Sequence, residues 1–523
     1  MEAPSEEPIV APVPPRHWWL KRIVAGATLL LVALIGLRLW WGWYADRALQ
    51  TEINKYIAAG EPIYPEDFDS KETIPDEDNA AKMLQDAEAA INLTPDQSAW
   101  LGQRPFAVSM VSRDLQITRT VLESNAEVYR LVRRARDLPM ADWGIRLRTP
   151  AINFLMPTLA GQRQVTRLLR VRGLYHHSIH DDDEALESLR DILAQSRTIA
   201  QQPSLIAQLT AIAGDGVLIM TIEEILPSIK VQRGEVASAD RERGADRQTV
   251  KRLIADLLLE RDARLGLSRS MLSERMSQLD IMQQLQQGKT TLGTMMGPGP
   301  AVGFSMIDWA SDLATRPLLD LETLVMLHDS TVFAEAALKP NWAEAYWAAH
   351  LKPSDGSFVD DMTHFISRAM TPSVERALLL RFRSSAQRRM GATALAIRFY
   401  EVEHGTQVEA LSPLVPEYLD FIPFDPFAAD DRPISYRPES APRILYSVGS
   451  DGVDDGGAYA MRRGGSIDLD QLDLPFFLDG DRPRPKKNED PSPAPSTQTV
   501  DDDQNIENDS GDADEDEPGE QEP

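Results

Sequence analysis

The sequence predicts a mainly α-helical protein that has a transmembrane helix near its N-terminus and a small α+β unit near its C-terminus. Three observations lead to this fold class. An uncharged apolar run covers residues 23–37, and apolar residues recur at helical spacing through most of residues 75–403. Further on, a short strand at residues 444–448 runs into a loop of carboxylates and glycines.

Composition excludes several classes of function. The net charge is -27 over 523 residues, and no Lys/Arg stripe of the kind that binds phosphate backbones stands out, so no nucleic acid partner is expected. The chain has no cysteine, which excludes disulfides, thiolate zinc sites and cysteine nucleophiles.

Residues 1–17 are predicted to be a disordered cytoplasmic arm, and residues 18–44 a transmembrane anchor. The chain carries no charge from Ile23 to Leu37, and its apolar character resumes after Arg38, so it reaches the ~20 residues that span a ~30 Å hydrocarbon core. The flanking residues suit the two membrane surfaces: Lys21 and Arg22 before the run, and Trp40, Trp41, Trp43 and Tyr44 after it.

The basic residues before the apolar run predict the orientation. By the positive-inside rule the N-terminus is cytoplasmic and the chain after Tyr44 is periplasmic, which describes a single-pass protein of the inner (cytoplasmic) membrane. A cleaved signal peptide is the alternative, but its apolar region is shorter and ends in small residues, whereas this run ends in tryptophans. We therefore expect an uncleaved signal anchor.

The exported residues 45–370 are predicted to be helical. Amphipathic patterns indicate helices at residues 75–93, 114–136, 165–177, 184–201, 205–225, 250–287 and 315–338. Polar turns separate several of them, as in an array of α-hairpins. The piece from Gly173 to Leu189 resembles a tetratricopeptide repeat, and this resemblance implies a helical face that receives a protein partner.

The turn His180-Asp181-Asp182-Asp183 admits two interpretations. His176 and His180 have the i, i+4 spacing that can present two imidazoles to a metal ion. Alternatively, the cluster ends one helix and places its acids at the positive N-terminus of the next.

The most specific motif is a short strand that leads into a loop of carboxylates and glycines: Ile444-Leu445-Tyr446-Ser447-Val448-Gly449-Ser450-Asp451-Gly452-Val453-Asp454-Asp455-Gly456-Gly457. Calcium takes roughly six to eight oxygen ligands, and alternating Asp and Gly supply both ligands and tight turns. The same composition is also common in solvated turns without an ion. Both interpretations stay open at this point.

Several blocks occur in order around this motif, namely a helix from Pro372 to Glu403, His404-Gly405, Asp425-Pro426-Phe427 and Tyr446-Ser447-Val448-Gly449 with its Asp-Gly loop. Over roughly residues 385–470 they resemble the C-terminal domain of the type II secretion major pseudopilins. The resemblance implies a module at residues 371–478 in which a long helix packs on a short antiparallel sheet. It also implies a Ca²⁺ ion in the last loop, with Asp451, Asp454, Asp455 and Asp468 as ligands.

The chain departs from that family in two respects. It lacks the processed N-terminus through which pseudopilins assemble, and Gln407-Val408 replaces the usual Tyr-Pro. The same ending is also similar to large membrane-anchored bacterial proteins of the planctomycete type, which bring no assigned activity. The module therefore does not by itself imply a pilus subunit.

Residues 479–523 are predicted to be a disordered acidic tail, since they have almost nothing to bury. The leading hypothesis is a non-enzymatic envelope scaffold or secretion-related interaction protein, with a calcium-stabilised loop and a protein partner on the helical region. The alternative is an exported, membrane-anchored enzyme of the hydrolase type with a site in the helical region. The sequence has no Gly-rich phosphate loop, His-Glu-x-x-His or Ser nucleophile elbow.

Overall fold

The computed structural model describes residues 18–69, 74–102, 112–149, 158–232, 244–287, 289, 308–350, 365–462, 466–480 and 482–483. The predicted cytoplasmic arm and all but the first few residues of the predicted acidic tail lie outside these ranges. The helices follow in chain order: α1 (Trp18–Ala58), α2 (Ala80–Ala89), α3 (Pro95–Gly102), α4 (Ser112–Ser124), α5 (Ala126–Arg136), α6 (Thr158–Ser178), α7 (Asp182–Ile199), α8 (Leu205–Ile225), α9 (Arg247–Leu258), α10 (Arg261–Gln286), α11 (Asp308–Ala336), α12 (Trp342–Ala349) and α13 (Phe365–His404). The predicted mainly helical class is confirmed.

The N-terminal apolar helix extends beyond the predicted anchor. Helix α1 is long and apolar enough to cross a membrane, and its large apolar side chains up to Tyr44 are exposed. From Ala45 onward one face is buried against the rest of the protein. A second helix that passes the same test of length and composition, Leu205–Ser228, is mostly buried inside the body and is a core helix.

Helices α1, α10 and α11 pack together in what we call the stalk. Leu49 and Ile53 of α1 share a small apolar cluster with Leu279 of α10 and Leu327 of α11. The buried guanidinium of Arg275 on α10 lies against the Tyr56 ring of α1 and donates to the Thr331 hydroxyl of α11. The stalk connects the apolar half of α1 to the body of the protein.

Helices α6, α7 and α8 form successive antiparallel hairpins at the centre of the body. Their positions agree with the sequence prediction. Their apolar faces belong to one core that also includes residues of α2, α5, α9 and α13. A succession of helical hairpins is thus present, while a tetratricopeptide repeat stays a prediction.

Two helices predicted as continuous are broken by buried polar residues. Residues 114–136 form α4 and α5, because Asn125 between them turns inward and its side chain bonds to the Asn92 backbone amide (2.8 Å) and carbonyl (2.9 Å). Residues 250–287 belong to α9 and α10, which separate at Leu259 and Glu260. The buried Arg388 of α13 donates hydrogen bonds to the Leu257 and Leu259 carbonyl oxygens at this break.

The C-terminal unit contains two small antiparallel sheets. Strands β1 (Ser435–Arg437), β2 (Ile444–Ser447) and β5 (Leu474–Phe477) form one sheet in the order β1-β2-β5, and β3 (Tyr459–Met461) pairs with β4 (Ile467–Leu472). Helix α13 packs against β2 and β5, as predicted for a long helix on a short sheet. Its buried side chains also belong to the helical core, so the predicted boundary at residue 371 does not separate two cores.

Candidate functional site

The carboxylate-rich loop, residues 449–457, begins at the end of β2 and is fixed there by Asp425. One carboxylate oxygen of Asp425 accepts hydrogen bonds from the Ser447 hydroxyl (2.6 Å) and the Phe427 amide (2.9 Å), and the other accepts one from the Val448 amide (2.8 Å). Asp425 is 2% exposed, and burial raises its pKa while these three hydrogen bonds oppose the rise. The Asp-Pro-Phe turn and the Ser-Val-Gly block, distant in sequence, are therefore bonded directly to each other.

Trp342, the first residue of α12, holds the same loop from the helical side. Its indole N–H donates to the Ser450 carbonyl (2.9 Å) and its backbone amide donates to the Pro426 carbonyl (2.7 Å). The ring packs against Phe427 and Phe382, with centroid distances of 6.0 and 5.8 Å. The loop is consequently a contact point between the C-terminal unit and the helical region.

The four predicted calcium ligands are engaged separately. Asp451 accepts a hydrogen bond from the Val453 amide (3.1 Å), which closes a local turn. Asp454 pairs with Arg432 (3.0 Å), and Asp468, on β4, pairs with Arg462 (3.2 Å). Asp455 is exposed at the loop surface. Within the described ranges no group of three or more His, Asp or Glu side chains is arranged to hold a metal ion. The structure thus does not gather these four carboxylates.

A carboxylate that the sequence analysis did not select lies beneath the loop. Asp473, between β4 and β5, is fully buried and accepts a hydrogen bond from the Gly457 amide (2.6 Å). Its other oxygen, Oδ1, is buried without a hydrogen-bond partner among the described residues. Burial raises the pKa of Asp473 to about 6, and the neighbouring carboxylates of Asp454 and Asp455 add to the rise. Asp473 is thus the buried carboxylate of the loop, with the carboxylates of Asp454 and Asp455 nearby.

The histidines near residue 180 bond to the aspartates of their own turn. His176 Nδ1 lies 3.2 Å from Asp181 Oδ2, and His177 Nδ1 lies 2.5 Å from Asp182 Oδ1. The other oxygen of Asp182 accepts a hydrogen bond from the Lys230 amide (2.7 Å). These bonds join the α6–α7 turn to the chain after α8, which is a structural role.

A pocket of about 530 Å³ opens between α4, α5 and α6. Ten residues line it, with four arginines and two tyrosines among them: Arg119, Leu122, Glu123, Ala126, Tyr129, Arg130, Arg133, Arg172, Tyr175 and His176. The Arg172 guanidinium lies 4.8 Å from the ring centre of Tyr129. The Tyr129 hydroxyl is buried and has no hydrogen-bond partner within the described part of the chain, and burial raises its pKa.

The arginines of this pocket differ in how firmly they are held. Arg133 is part-buried and pairs with Glu184 (2.7 Å) and with the fully buried Asp191 (2.8 Å). Arg119 is well exposed and pairs with Glu123 (2.8 Å) one turn along α4, while Arg130 pairs with Glu127 on α5. Such exposed pairs contribute little to stability because water screens them, so these two guanidinium groups can exchange partners.

A buried polar network joins α13 to α8 and α10. The Ser384 hydroxyl donates to Asp215 (2.9 Å) and the Ser385 hydroxyl to Glu260 (2.5 Å). Burial alone would raise the pKa of Glu260, but the charges of Arg389 and other arginines of α13 outweigh it and lower the pKa to about 2. Both serines are almost fully buried, so the network serves packing between helices.

No protein-family model, curated protein or solved structure matches this chain.

Proposed function

We propose that this protein is a membrane-anchored envelope protein that acts as a non-enzymatic scaffold. In this proposal α1 is an uncleaved single-pass anchor in the inner membrane, with the N-terminus in the cytoplasm and the body in the periplasm. The helical region holds an acidic partner protein, and the C-terminal unit is a pseudopilin-like module with a cation-stabilised loop.

The observation that carries the anchor proposal is the continuity of α1 with the stalk. The helix runs from Trp18 to Ala58 without a break, and residues beyond Ala45 are buried against α11. Cleavage after the apolar run would sever a helix whose second half is part of the stalk. A cleaved signal peptide does not pack against the mature protein, whereas a retained anchor that holds the body in place does.

The pocket between α4, α5 and α6 supports the scaffold role. Arginine and tyrosine are the side chains that dominate protein recognition sites, and here they surround a concavity large enough for a few side chains. Exposed guanidinium groups favour a carboxylate-bearing segment, because each can exchange its surface partner for a ligand carboxylate. The succession of α-hairpins that presents the pocket is the kind of surface that the tetratricopeptide-like prediction implies.

Calcium binding rests on Asp473 and its surroundings. The orphaned Oδ1, with Asp454 and Asp455 nearby, offers the negative charge that a hard cation would neutralise. The ion would hold the loop against β5 and remove the repulsion between these carboxylates. The antiparallel sheet under α13 supports the resemblance to pseudopilins in architecture.

A protease-protection experiment tests the topology. With an epitope tag at the N-terminus, protease added to spheroplasts should degrade the body and leave only a tagged fragment of the size of the arm and α1. A body that resists protease until the membrane is permeabilised would place it in the cytoplasm and contradict the proposal.

A binding experiment tests the pocket. A fluorescent glutamate-rich peptide is the probe, and its anisotropy is measured with the detergent-solubilised full chain. Replacing Arg119 and Arg130 by Gln should weaken binding by about tenfold or more, the loss expected for two charge-assisted contacts. Arg134→Gln is the matched control, since Arg134 is exposed on the same helix as Arg130 but does not line the pocket. An equal loss of affinity in the control would show that the effect comes from the change in net charge, and it would contradict binding in the pocket.

A further inference from the structure

A serine extends the hydrogen-bonded pair of His177 and Asp182 at the α6–α7 turn. The Ser228 hydroxyl, at the end of the short 3₁₀ helix Leu226–Ser228 that follows α8, lies 2.8 Å from His177 Nε2. On the other side of the same ring, His177 Nδ1 lies 2.5 Å from Asp182 Oδ1. The three side chains therefore form a continuous Ser–His–Asp hydrogen-bonded chain, although Ser228 follows His177 by 51 residues in the sequence.

The carboxylate determines which nitrogen of the ring carries the proton. An ionised carboxylate only accepts hydrogen bonds, so the neutral imidazole of His177 carries its proton on Nδ1. Its Nε2 then has a lone pair that accepts the hydrogen bond of the Ser228 hydroxyl. Asp182 is 3% exposed, and its other oxygen accepts a hydrogen bond from the Lys230 amide (2.7 Å), which holds the carboxylate in place. This is the tautomer in which a histidine acts as general base toward a serine.

The serine is accessible, whereas the aspartate is not. Ser228 is exposed at the surface, and His177 is partly buried between Ser228 and Asp182. The Arg398 guanidinium donates two hydrogen bonds, of 3.1 and 2.9 Å, to the carbonyl oxygen of Ile229, the residue after Ser228. This positive charge favours the negative oxygen that develops when a serine attacks a carbonyl group.

We propose that Ser228, His177 and Asp182 form an esterase site that acts on carboxylic esters. The Ser228 oxygen attacks the ester carbonyl carbon while its proton passes to His177 Nε2. The proton then leaves with the departing alcohol, and the acyl group stays on Ser228. Water releases the acid in a second step, in which His177 accepts one proton from the water and returns one to Ser228. Asp182 is a positioning residue that holds the ring and stabilises the imidazolium.

This activity goes beyond the proposed scaffold role and revises its non-enzymatic part. The site uses none of the residues that line the pocket between α4, α5 and α6, and it needs neither the anchor nor the carboxylate-rich loop. Either proposal can therefore fail without the other. An ester is the expected substrate class because the tetrahedral intermediate of an ester expels an alcohol more easily than that of an amide expels an amine.

A fluorescent fluorophosphonate, which bonds covalently to activated serines, tests the nucleophile. The detergent-solubilised full chain is labelled, and peptide mapping identifies the modified residue. We expect one label per chain, on Ser228, and labelling that is about 100-fold slower or more in His177→Gln, the contribution typical of a general base. Ser178→Ala is the matched control and should label at the unmodified rate, since the Ser178 hydroxyl donates to the Tyr175 carbonyl of its own helix (2.7 Å).

Hydrolysis of p-nitrophenyl butyrate tests turnover and the role of Asp182. Asp182→Asn should lower kcat by about tenfold or more and leave KM unchanged, because the ring loses the partner that fixes its proton while the surface that meets the substrate is the same. A raised KM with unchanged kcat would reduce Asp182 to a structural residue and overturn the three-residue site.

Two further results would overturn the esterase proposal. The first is an unmodified chain in which Ser228 does not react with the fluorophosphonate, a result that depends on no variant. The second is a His177→Gln chain that melts at the unmodified temperature and labels at the unmodified rate.

Discussion

The guanidinium carbon of Arg275 lies 4.3 Å from the ring centre of Tyr56, and this stack holds the end of α1 to α10. Arg275 is fully buried, and it also donates to Glu61 (2.6 Å), to the Thr331 hydroxyl of α11 (2.7 Å) and to the Pro62 carbonyl (2.9 Å). One side chain therefore connects all three helices of the stalk. Helix α1 and the body are coupled through this residue.

Replacing Arg275 by Ala should destabilise the stalk by about 2–4 kcal/mol, because Glu61 and Thr331 lose a charged partner in a largely buried setting. The measurement is the melting temperature of the detergent-solubilised full chain, which should fall by several degrees. Arg261→Ala, at the exposed start of the same helix, is the control and should change stability by no more than about 0.5 kcal/mol. Equal melting of the two variants would contradict a coupling role for Arg275.

The bond between Asp425 and Ser447 predicts an asymmetric pair of effects. Ser447→Ala removes one of three hydrogen bonds and should cost about 1 kcal/mol. Asp425→Ala leaves the Ser447 hydroxyl and the Phe427 and Val448 amides unsatisfied at a buried site, and should cost about 3 kcal/mol or more. Limited proteolysis within residues 449–457 should accelerate in the same order. A larger effect of Ser447→Ala would show that Asp425 does not organise the loop.

Gly449 should be irreplaceable by alanine for two separable reasons. Its φ of 73° is left-handed, which costs an L-residue about 1–2 kcal/mol, and a Cβ would lie 2.3 Å from the Leu472 carbonyl oxygen. Gly60 has the same φ of 73° but no atom within 4 Å of its Cβ position, so Gly60→Ala measures the backbone strain alone. The melting temperature should fall further for Gly449→Ala than for Gly60→Ala. Equal falls would mean that the loop can move away from β4.

The raised pKa of Asp473 predicts a stability that depends on pH. Its folded-state pKa of about 6 exceeds the ordinary value near 3.9, so its stabilising contribution is complete below about pH 4 and is lost as the pH rises through about 6. The loss is on the order of 2–3 kcal/mol. Asp473→Asn should remove it, which a comparison of thermal melting between pH 4 and 8 will reveal. Identical pH profiles for Asp473→Asn and the unmodified protein would exclude this titration.

Calcium should offset the same loss. A cation next to the ionised Asp473 offsets the desolvation cost of its buried charge and the repulsion from Asp454 and Asp455. Ca²⁺ should therefore raise the melting temperature by several degrees above pH 6 and have little effect below pH 5. A chelator should abolish the gain, and so should Asp473→Asn. Asp451→Ala tests the ligand predicted from the sequence. A melting temperature that is the same with Ca²⁺ and with chelator at every pH would contradict calcium binding at this loop.

The sequence predicted the helices correctly where one local periodic pattern determines their position. The apolar run, the hairpins α6 to α8 and the long helix α13 all follow from local spacing, whereas the small sheet was expected from the resemblance to pseudopilins. The breaks at Asn125 and Glu260 were missed because each depends on a distant partner, the backbone of Asn92 in one case and Arg389 in the other. No local pattern distinguishes such a residue from a surface polar residue.

The loop illustrates the same limit. Asp451 and Asp454 stand out in sequence because they alternate with glycine, yet one closes a local turn and the other pairs with Arg432. Asp473 lies between two leucines and looks like a solvent-facing strand residue. Only the fold reveals that it is buried under the loop, so no local pattern in the sequence could select this carboxylate.

The most direct test of the central claim is the intact mass of the protein recovered from cell membranes after alkaline carbonate extraction. Retention of α1 as an anchor continuous with the stalk predicts a species that stays in the membrane pellet and whose mass includes residues 18–44. A mature chain that lacks these residues and appears in the soluble fraction would contradict it.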